Sequence, residues 1–466
     1  MNPYQPIFDR LAARAPALAR TTAEQRIAKL RALYRAVYDL REEISAAGHE
    51  ELGMDGKLHL IPLKGAVDYN CDHLAQWMER EDAEDTPALM GRKAWVHYEP
   101  KGVVLHLASW NSPILIALDP VISMIAAGNA VVLKPSEVTP ANAALVRKII
   151  DSAGLADDVA VVEGGPEVAQ QLLELPFNHI CYVGNNRVGQ FIMEAAAKNF
   201  AGVTLEMGGK NPVIVEADAD IEDAAAKLAF GKSLISGQVC LSPDYIMVHQ
   251  SRREDLVKAL GEKFTAMFDA EGKGLQASSD FARIVNARHV TRIKGLVDEA
   301  VAKGASIPFG GEIDEAARFV SPTILTGVTN DMTIADEEIF GPVLLIRDFA
   351  SREACIAEIA KRPKPLAIYI FTGDPATAQW YLDHTRAGTS AINNVVCQAN
   401  ISTLPFGGCN HSGIGRLGGH AGFKEFSNAR AIVEDGYTPE TRSMMHYPPF
   451  PAEAGSFVDM MLTPTA

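Results

Sequence analysis

Between residues 103 and 207 the chain alternates short, wholly apolar runs with longer stretches whose apolar residues recur every three or four positions. The apolar runs predict strands over 103–108, 130–135, 159–163, 179–183 and 203–207. The stretches between them predict helices over 116–127, 141–152, 167–173 and 188–198. Strands spaced by helices of this length argue a parallel, doubly wound sheet. A second alternation places strands over 212–215, 245–249, 343–348, 366–371 and 390–393, again with helical stretches between them. Ahead of both, residues 22–80 read as long amphipathic helices, with Arg26, Leu30, Leu33 and Val37 at helical spacing. The uneven polar stretch 81–92 leads into a strand-like 94–99, and 429–433 is strand-like too. The fold class is therefore α/β, with two doubly wound domains.

Composition narrows the partners. A chain of 466 residues is too long for one ordinary core, so two large domains are expected. A net charge of −15 argues against nucleic acid, because phosphate recognition needs basic patches. The run 113–133 is the most apolar, but Asp119, Pro120, Gly128 and Asn129 interrupt it. It reads as a buried helix and strand, and no membrane partner is expected. The six cysteines show no Cys-x-x-Cys spacing, which fits free thiols in a reducing compartment. With no basic, then apolar, leader at the N-terminus, a cytoplasmic location is expected. The 12 histidines show no metal-ligand spacing, so no metal is expected.

Chemistry concentrates in four short segments. Cys240 ends the run Ser236-Gly237-Gln238-Val239-Cys240, where glycine lets the backbone approach a substrate closely. A thiolate adds readily to a carbonyl carbon, although a cysteine taken alone is more often buried and inert. Glu206 precedes Gly208-Gly209-Lys210, and a partly desolvated glutamate can activate water. The bland alternative is a solvated carboxylate at a strand end. Asn111, in Trp110-Asn111-Ser112-Pro113, could donate to an oxyanion or be a turn residue before proline. The fourth segment is Glu338-Ile339-Phe340-Gly341-Pro342.

Together these segments resemble those of the NAD(P)-dependent aldehyde dehydrogenases, from about residue 20 onward. The resemblance implies an aldehyde dehydrogenase-like fold. Its coenzyme-binding domain would be 1–82 and 100–207, and its catalytic domain 208–405. A small bridging sheet for dimer contacts would come from 83–99 and 425–440, with a tail over 441–466. It implies Cys240 as nucleophile, Glu206 as base and Asn111 as oxyanion donor, with Glu338 a second candidate for the base. The cofactor set would be Trp110, Lys134, Glu137, Gly184, Asn185, Gly189, Gly208, Glu338 and Phe340. Lys134 and Glu137 match the pair that holds the adenosine ribose. Gly184–Gly189 matches the family's pyrophosphate turn, with Asn185 where serine is usual. NAD is the expected cofactor, with NADP possible.

The resemblance is strongest to the class 3 branch, including bacterial coniferyl-aldehyde and benzaldehyde dehydrogenases. It rests there on 159–166, 229–248 and the ending Met445-His446-Tyr447-Pro448-Pro449-Phe450. A homodimer acting on a small-molecule aldehyde is implied. Ser112 stands where Phe or Tyr is usual, and Val239 where Thr is usual. With Ile116 and Leu241 they would shape a tunnel for a bulky or aromatic aldehyde. Two other outcomes stay open: an acylating enzyme using coenzyme A instead of water, and a non-catalytic protein on the same fold.

Overall fold

The computed structural model describes residues 2–89, 91–436, 448–450 and 454–464. Residues 437–447, which include part of the expected bridging segment and the stretch Met445–Tyr447, lie outside the described residues, as do 451–453 of the expected tail.

A six-stranded sheet runs in the order Gly413–Ile414, Gly202–Met207, His179–Gly184, Val103–Leu107, Ala130–Lys134, Val159–Val161. All neighbours are parallel except the first pair. The strands are near-continuous apolar runs because both faces are covered. Val103, Leu105, Ile180, Tyr182, Leu205 and Met207 face the helices Gln5–Leu18 and Asn186–Ala197. Val104, Val131, Leu133 and Cys181 face the helices Ala23–Asp39, Leu60–Trp77 and Pro113–Ala127. By the two-residue period of a strand, His106, Thr204 and Glu206 lie on this second face.

The second sheet has seven strands, in the order Ser306–Phe309, Thr323–Thr326, Val343–Phe349, Tyr245–His249, Pro212–Val215, Ala367–Phe371, Thr389–Ile392. A three-stranded antiparallel sheet joins Glu81–Asp82, Lys93–Pro100 and Ser427–Glu434. Helix Gln5–Leu18 precedes the helical stretch read from the sequence. Its Pro6 sits in the first turn, where a missing N–H costs nothing, and its Phe8, Leu11 and Leu18 seal one face of the six-stranded sheet. The first sheet is also not purely parallel. Gly413–Ile414 returns from beyond the catalytic domain to pair with Glu206 and Leu205.

Candidate active site

Cys240 follows a turn that few sequences could make. Ile235 and Ser236 both adopt left-handed backbone angles, and Gly237 continues them. Such angles cost on the order of 1–3 kcal/mol per non-glycine residue and persist only where the surroundings over-determine them. At Gly237 no side chain fits, since a Cβ would lie 2.3 Å from the Gly341 carbonyl oxygen. Gln238 braces the turn, donating from Nε2 to the carbonyls of Ile235 (2.8 Å) and Arg283 (3.0 Å) and accepting from Val285 N–H (3.0 Å).

Beyond the cysteine, Asn211 Nδ2 donates to the Cys240 carbonyl at 2.7 Å and to that of Ser242 at 3.0 Å. Its Oδ1 accepts from Ala367 N–H at 2.9 Å. Tyr369 donates its hydroxyl to the Leu241 carbonyl at 2.6 Å. A buried ion pair of Lys210 with Asp244 lies just behind, and Asp244 accepts from Ile339 N–H at 2.9 Å. That contact ties the nucleophile loop to the Glu338–Pro342 segment.

The thiol is partly exposed, and it lies in hydrogen-bonding reach of the Glu206 carboxyl. Burial, then the neighbouring Glu206 and Glu338 carboxyls, push the thiol well above its usual range, against the Leu241 N–H. Glu206 is only 4% exposed, and its Oε1 has no partner among the described residues. Burial pushes it up to about 7, with the Cys240 thiol opposing. Glu338 leans over the Gly-Gly corner, accepting from Gly209 N–H at 3.2 Å. A Cβ on Gly208 would sit 2.2 Å from its Oε1, so a side chain there would displace the Glu338 carboxyl. Burial pushes Glu338 up to about 8, aided by Asp244 and Glu206 and opposed by Gly209 N–H and Lys210.

Asn111 is buried at the mouth of helix Pro113–Ala127. Ser109 donates to its Oδ1 at 2.7 Å, which fixes the amide and leaves the NH₂ end without a protein acceptor among the described residues. Trp110 meets Phe340 edge-on, with centroids 5.5 Å apart. It also meets His289, at 5.3 Å.

Lys134 ends its strand and donates to Glu137 at 3.0 Å. Gly184 ends the next strand but one, and Asn185 caps the following helix by accepting from Val188 N–H at 3.0 Å. Gly189, in that helix's first turn, lies against Met207. These groups stand at the carboxyl ends of parallel strands, with helix N–H groups for phosphates and a carboxylate for ribose hydroxyls. The donor set thus fits a dinucleotide.

Ser112 is buried, and Ile116 and Val239 are partly exposed. Leu241 departs from the expected tunnel wall. It is 1% exposed and belongs to a core cluster of the seven-stranded sheet, against which the partly exposed Val239 and Cys240 also pack. The reading of the sequence also missed Asn211, Gln238, Asp244 and Tyr369. A lone signal was available for Asn211: an amide directly before a fully buried strand must find partners. Among the described residues, no group of three or more His, Cys, Asp or Glu could hold a metal ion, and no helix is long and apolar enough to cross a membrane.

Comparison with known proteins agrees with this geometry. The aldehyde dehydrogenase family model matches residues 7–432. Aldehyde dehydrogenase family 3 member A2 of Rattus norvegicus is 36% identical, over 91% of this chain and 87% of its own. The dimeric NADP-preferring aldehyde dehydrogenase of the same species is 35% identical, over 92% and 94%. The substrate-bound structure of Staphylococcus aureus AldH superposes with a TM-score of 0.91 at 34% identity, covering 99% of both chains. The chain therefore belongs to the aldehyde dehydrogenase family, with class 3 enzymes among its relatives.

Proposed function

We propose that this chain oxidises a bulky, aromatic aldehyde to its carboxylic acid, with NAD as the preferred hydride acceptor and Cys240 as the covalent nucleophile. The observation that carries the reading is the contact of the Cys240 thiol with the buried Glu206 carboxyl, one oxygen of which has no partner among the described residues.

Glu206 takes the thiol proton as Cys240 Sγ bonds to the aldehyde carbon. The carbonyl oxygen, now an anion, accepts from Asn111 Nδ2 and from the Cys240 backbone N–H. One such preorganised donor is worth about 3 kcal/mol. The dinucleotide, when bound by Lys134, Glu137, the Gly184–Gly189 turn and Glu338, supplies the acceptor for the hydride that leaves this carbon, so that Cys240 is left as a thioester. Glu206 passes the thiol proton to solvent and then removes a proton from water, whose oxygen bonds to the thioester carbon; the departing Cys240 thiolate takes that proton back from Glu206 and the acid is released. The sum is aldehyde, NAD⁺ and water to acid, NADH and a proton. Glu338, raised and close to the Gly-Gly corner, is the second candidate for the water-activating step.

A bulky substrate is supported by Ser112, which leaves room where this family usually carries a ring. The dimer expected from the family is supported by the largely exposed strand Ser427–Glu434 of the three-stranded sheet. The test is NADH formation from acetaldehyde, hexanal, benzaldehyde and a hydroxylated cinnamaldehyde, with NAD or NADP and with or without coenzyme A. Aromatic aldehydes should give the highest kcat/KM without coenzyme A, and Ser112→Phe should depress them selectively. Acetaldehyde as the best substrate would sink the aromatic assignment, and an absolute need for coenzyme A would sink the hydrolytic one.

A further inference from the structure

The Glu206 carboxyl reaches the Cys240 thiol, but no amide, hydroxyl or cation among the described residues is hydrogen-bonded to it. With no such group to orient it, its place is set through its backbone. That backbone is flanked on both sides, by Val183 on the parallel strand and by Gly413 on the antiparallel one. The next polar side chain on the same face of the strand is Thr204, two residues upstream and about 7 Å away along the chain.

Thr204 is the middle of a chain of hydrogen bonds. Lys101 Nζ donates to His179 Nδ1 at 3.0 Å, since an ammonium only donates. His179 Nε2 therefore carries the ring proton, and it donates to Thr204 Oγ1 at 2.7 Å. The Thr204 hydroxyl donates in turn to Glu425 Oε1 at 2.7 Å, and Arg416 N–H donates to Glu425 Oε2 at 3.3 Å. Every side-chain link runs the same way, from a cation to a carboxylate. Burial, and then Lys101, push His179 down to about 3, so the ring stays neutral. His179 and Thr204 are each 1% exposed. Buried polar groups are costly on a face otherwise packed by apolar helices, unless they are paired as these are. The backbone makes room for them. A Cβ on Gly202 would lie 2.6 Å from His179 Nδ1, and one on Gly415 would lie 2.5 Å from Glu425 Oε1. Phe426 closes the site, meeting the His179 ring edge-on with centroids 5.5 Å apart.

We propose that Thr204 is a positioning residue for the water-activating base: held between His179 and Glu425, it fixes strand Gly202–Met207 so that Glu206 faces the thioester on Cys240. The inference rests on the aldehyde-oxidising reading, with Glu206 as its base. The chain ties together the bend at Lys101, two neighbouring strands and the returning helix Gly419–Glu425. A fully paired network of fixed direction holds one arrangement, where apolar side chains of the same size would let the strand slide. A shift of about 1 Å at a reacting group costs on the order of a hundredfold in rate.

The experiment follows NADH release from hexanal and benzaldehyde with saturating NAD. It uses the full chain as wild type, Thr204→Val, Thr204→Ser, Glu206→Gln and the double variant Thr204→Val with Glu206→Gln. Thr204→Val keeps the shape and removes both hydrogen bonds. It should give a burst of about one NADH per site, then turnover at least about tenfold below wild type. Thr204→Ser restores the hydroxyl and should recover turnover to within about twofold of wild type. In the Glu206→Gln background, Thr204→Val should slow turnover no further, because it acts through Glu206. A purely structural role would slow both backgrounds alike. A smaller slowing, a burst lost together with turnover, a serine variant no better than the valine one, or an undiminished slowing in the Glu206→Gln background overturns the proposal alone. Should Thr204→Val fail to fold, the half-buried Glu425→Ala is read by the same measurements, with Glu425→Gln as its conservative counterpart. Unimpaired turnover in Glu206→Gln moves the base to Glu338 and overturns the proposal with aldehyde oxidation intact. A folded wild type that reduces NAD with no aldehyde overturns the aldehyde-oxidising reading and this inference with it.

Discussion

One oxygen of Glu206 has no partner and the carboxyl abuts the Cys240 thiol, so the group keeps its proton nearly to neutrality. The base is the carboxylate, which exists above the pKa. Thioester hydrolysis should therefore rise with pH through about 7 and then level off. Glu206→Gln should abolish that rise and give an NADH burst of about one per site followed by slow turnover, with acyl-enzyme visible by intact mass. The same variant removes a negative neighbour from the thiol, so alkylation of Cys240 by iodoacetamide should shift to lower pH. An unchanged steady-state rate would hand the base role to Glu338. At this scale the candidate groups Cys240, Glu206 and Asn111 could be picked out in the chain because each stands in a contiguous motif. Asn211, Gln238 and Tyr369 could not, since they serve backbone carbonyls, and a carbonyl has no sequence signature.

Strands place these groups, and the turns at their ends hold them. Strands Pro212–Val215 and Tyr245–His249 match the spans expected from their apolar runs. Ser306–Phe309 and Thr323–Thr326 were not anticipated. They are only four residues each, and Ser306–Phe309 is a largely exposed edge with an irregular register. Asn211 joins Pro212–Val215 to the nucleophile loop and to Ala367, so its loss strands two carbonyls and an N–H in the interior. Asn211→Leu should cost at least about 2 kcal/mol, lower the Tm and reduce kcat more than NAD binding. A Tm within a degree of wild type would show that the loop is held by other contacts. Glu137, just past strand Ala130–Lys134, is proposed to accept from ribose hydroxyls, where its charge would repel a 2′-phosphate. Glu137→Gln should therefore lower the ratio of NAD to NADP kcat/KM. A wild-type preference for NADP that survives the substitution would place the adenosine elsewhere.

Across the whole molecule, the bridging sheet presents Ser427–Glu434 with most of its side chains outward, and Val433 is 62% exposed. Light scattering should find a dimer, and Val433→Lys should shift it toward monomer. A wild type that is already monomeric at micromolar concentration would remove the dimer from the account. The division into two α/β units could be read in advance from the two runs of alternating strands and helices. The return of residues 413–426 to the coenzyme unit could not, because Gly413–Ile414 is too short to leave a pattern. That return has a consequence for synthesis of the chain. Gly413 pairs with Glu206, Glu425 accepts from the Thr204 hydroxyl at 2.7 Å, and Asn129 donates to the Phe426 carbonyl at 2.9 Å. The strand that carries the base therefore has an open edge while the ribosome is still making the catalytic unit. Closing such long loops is slow, so a nascent chain released before residue 426 would hold Cys240, Asn111 and the Gly184–Gly189 turn, yet lack the last strand that pairs beside Glu206.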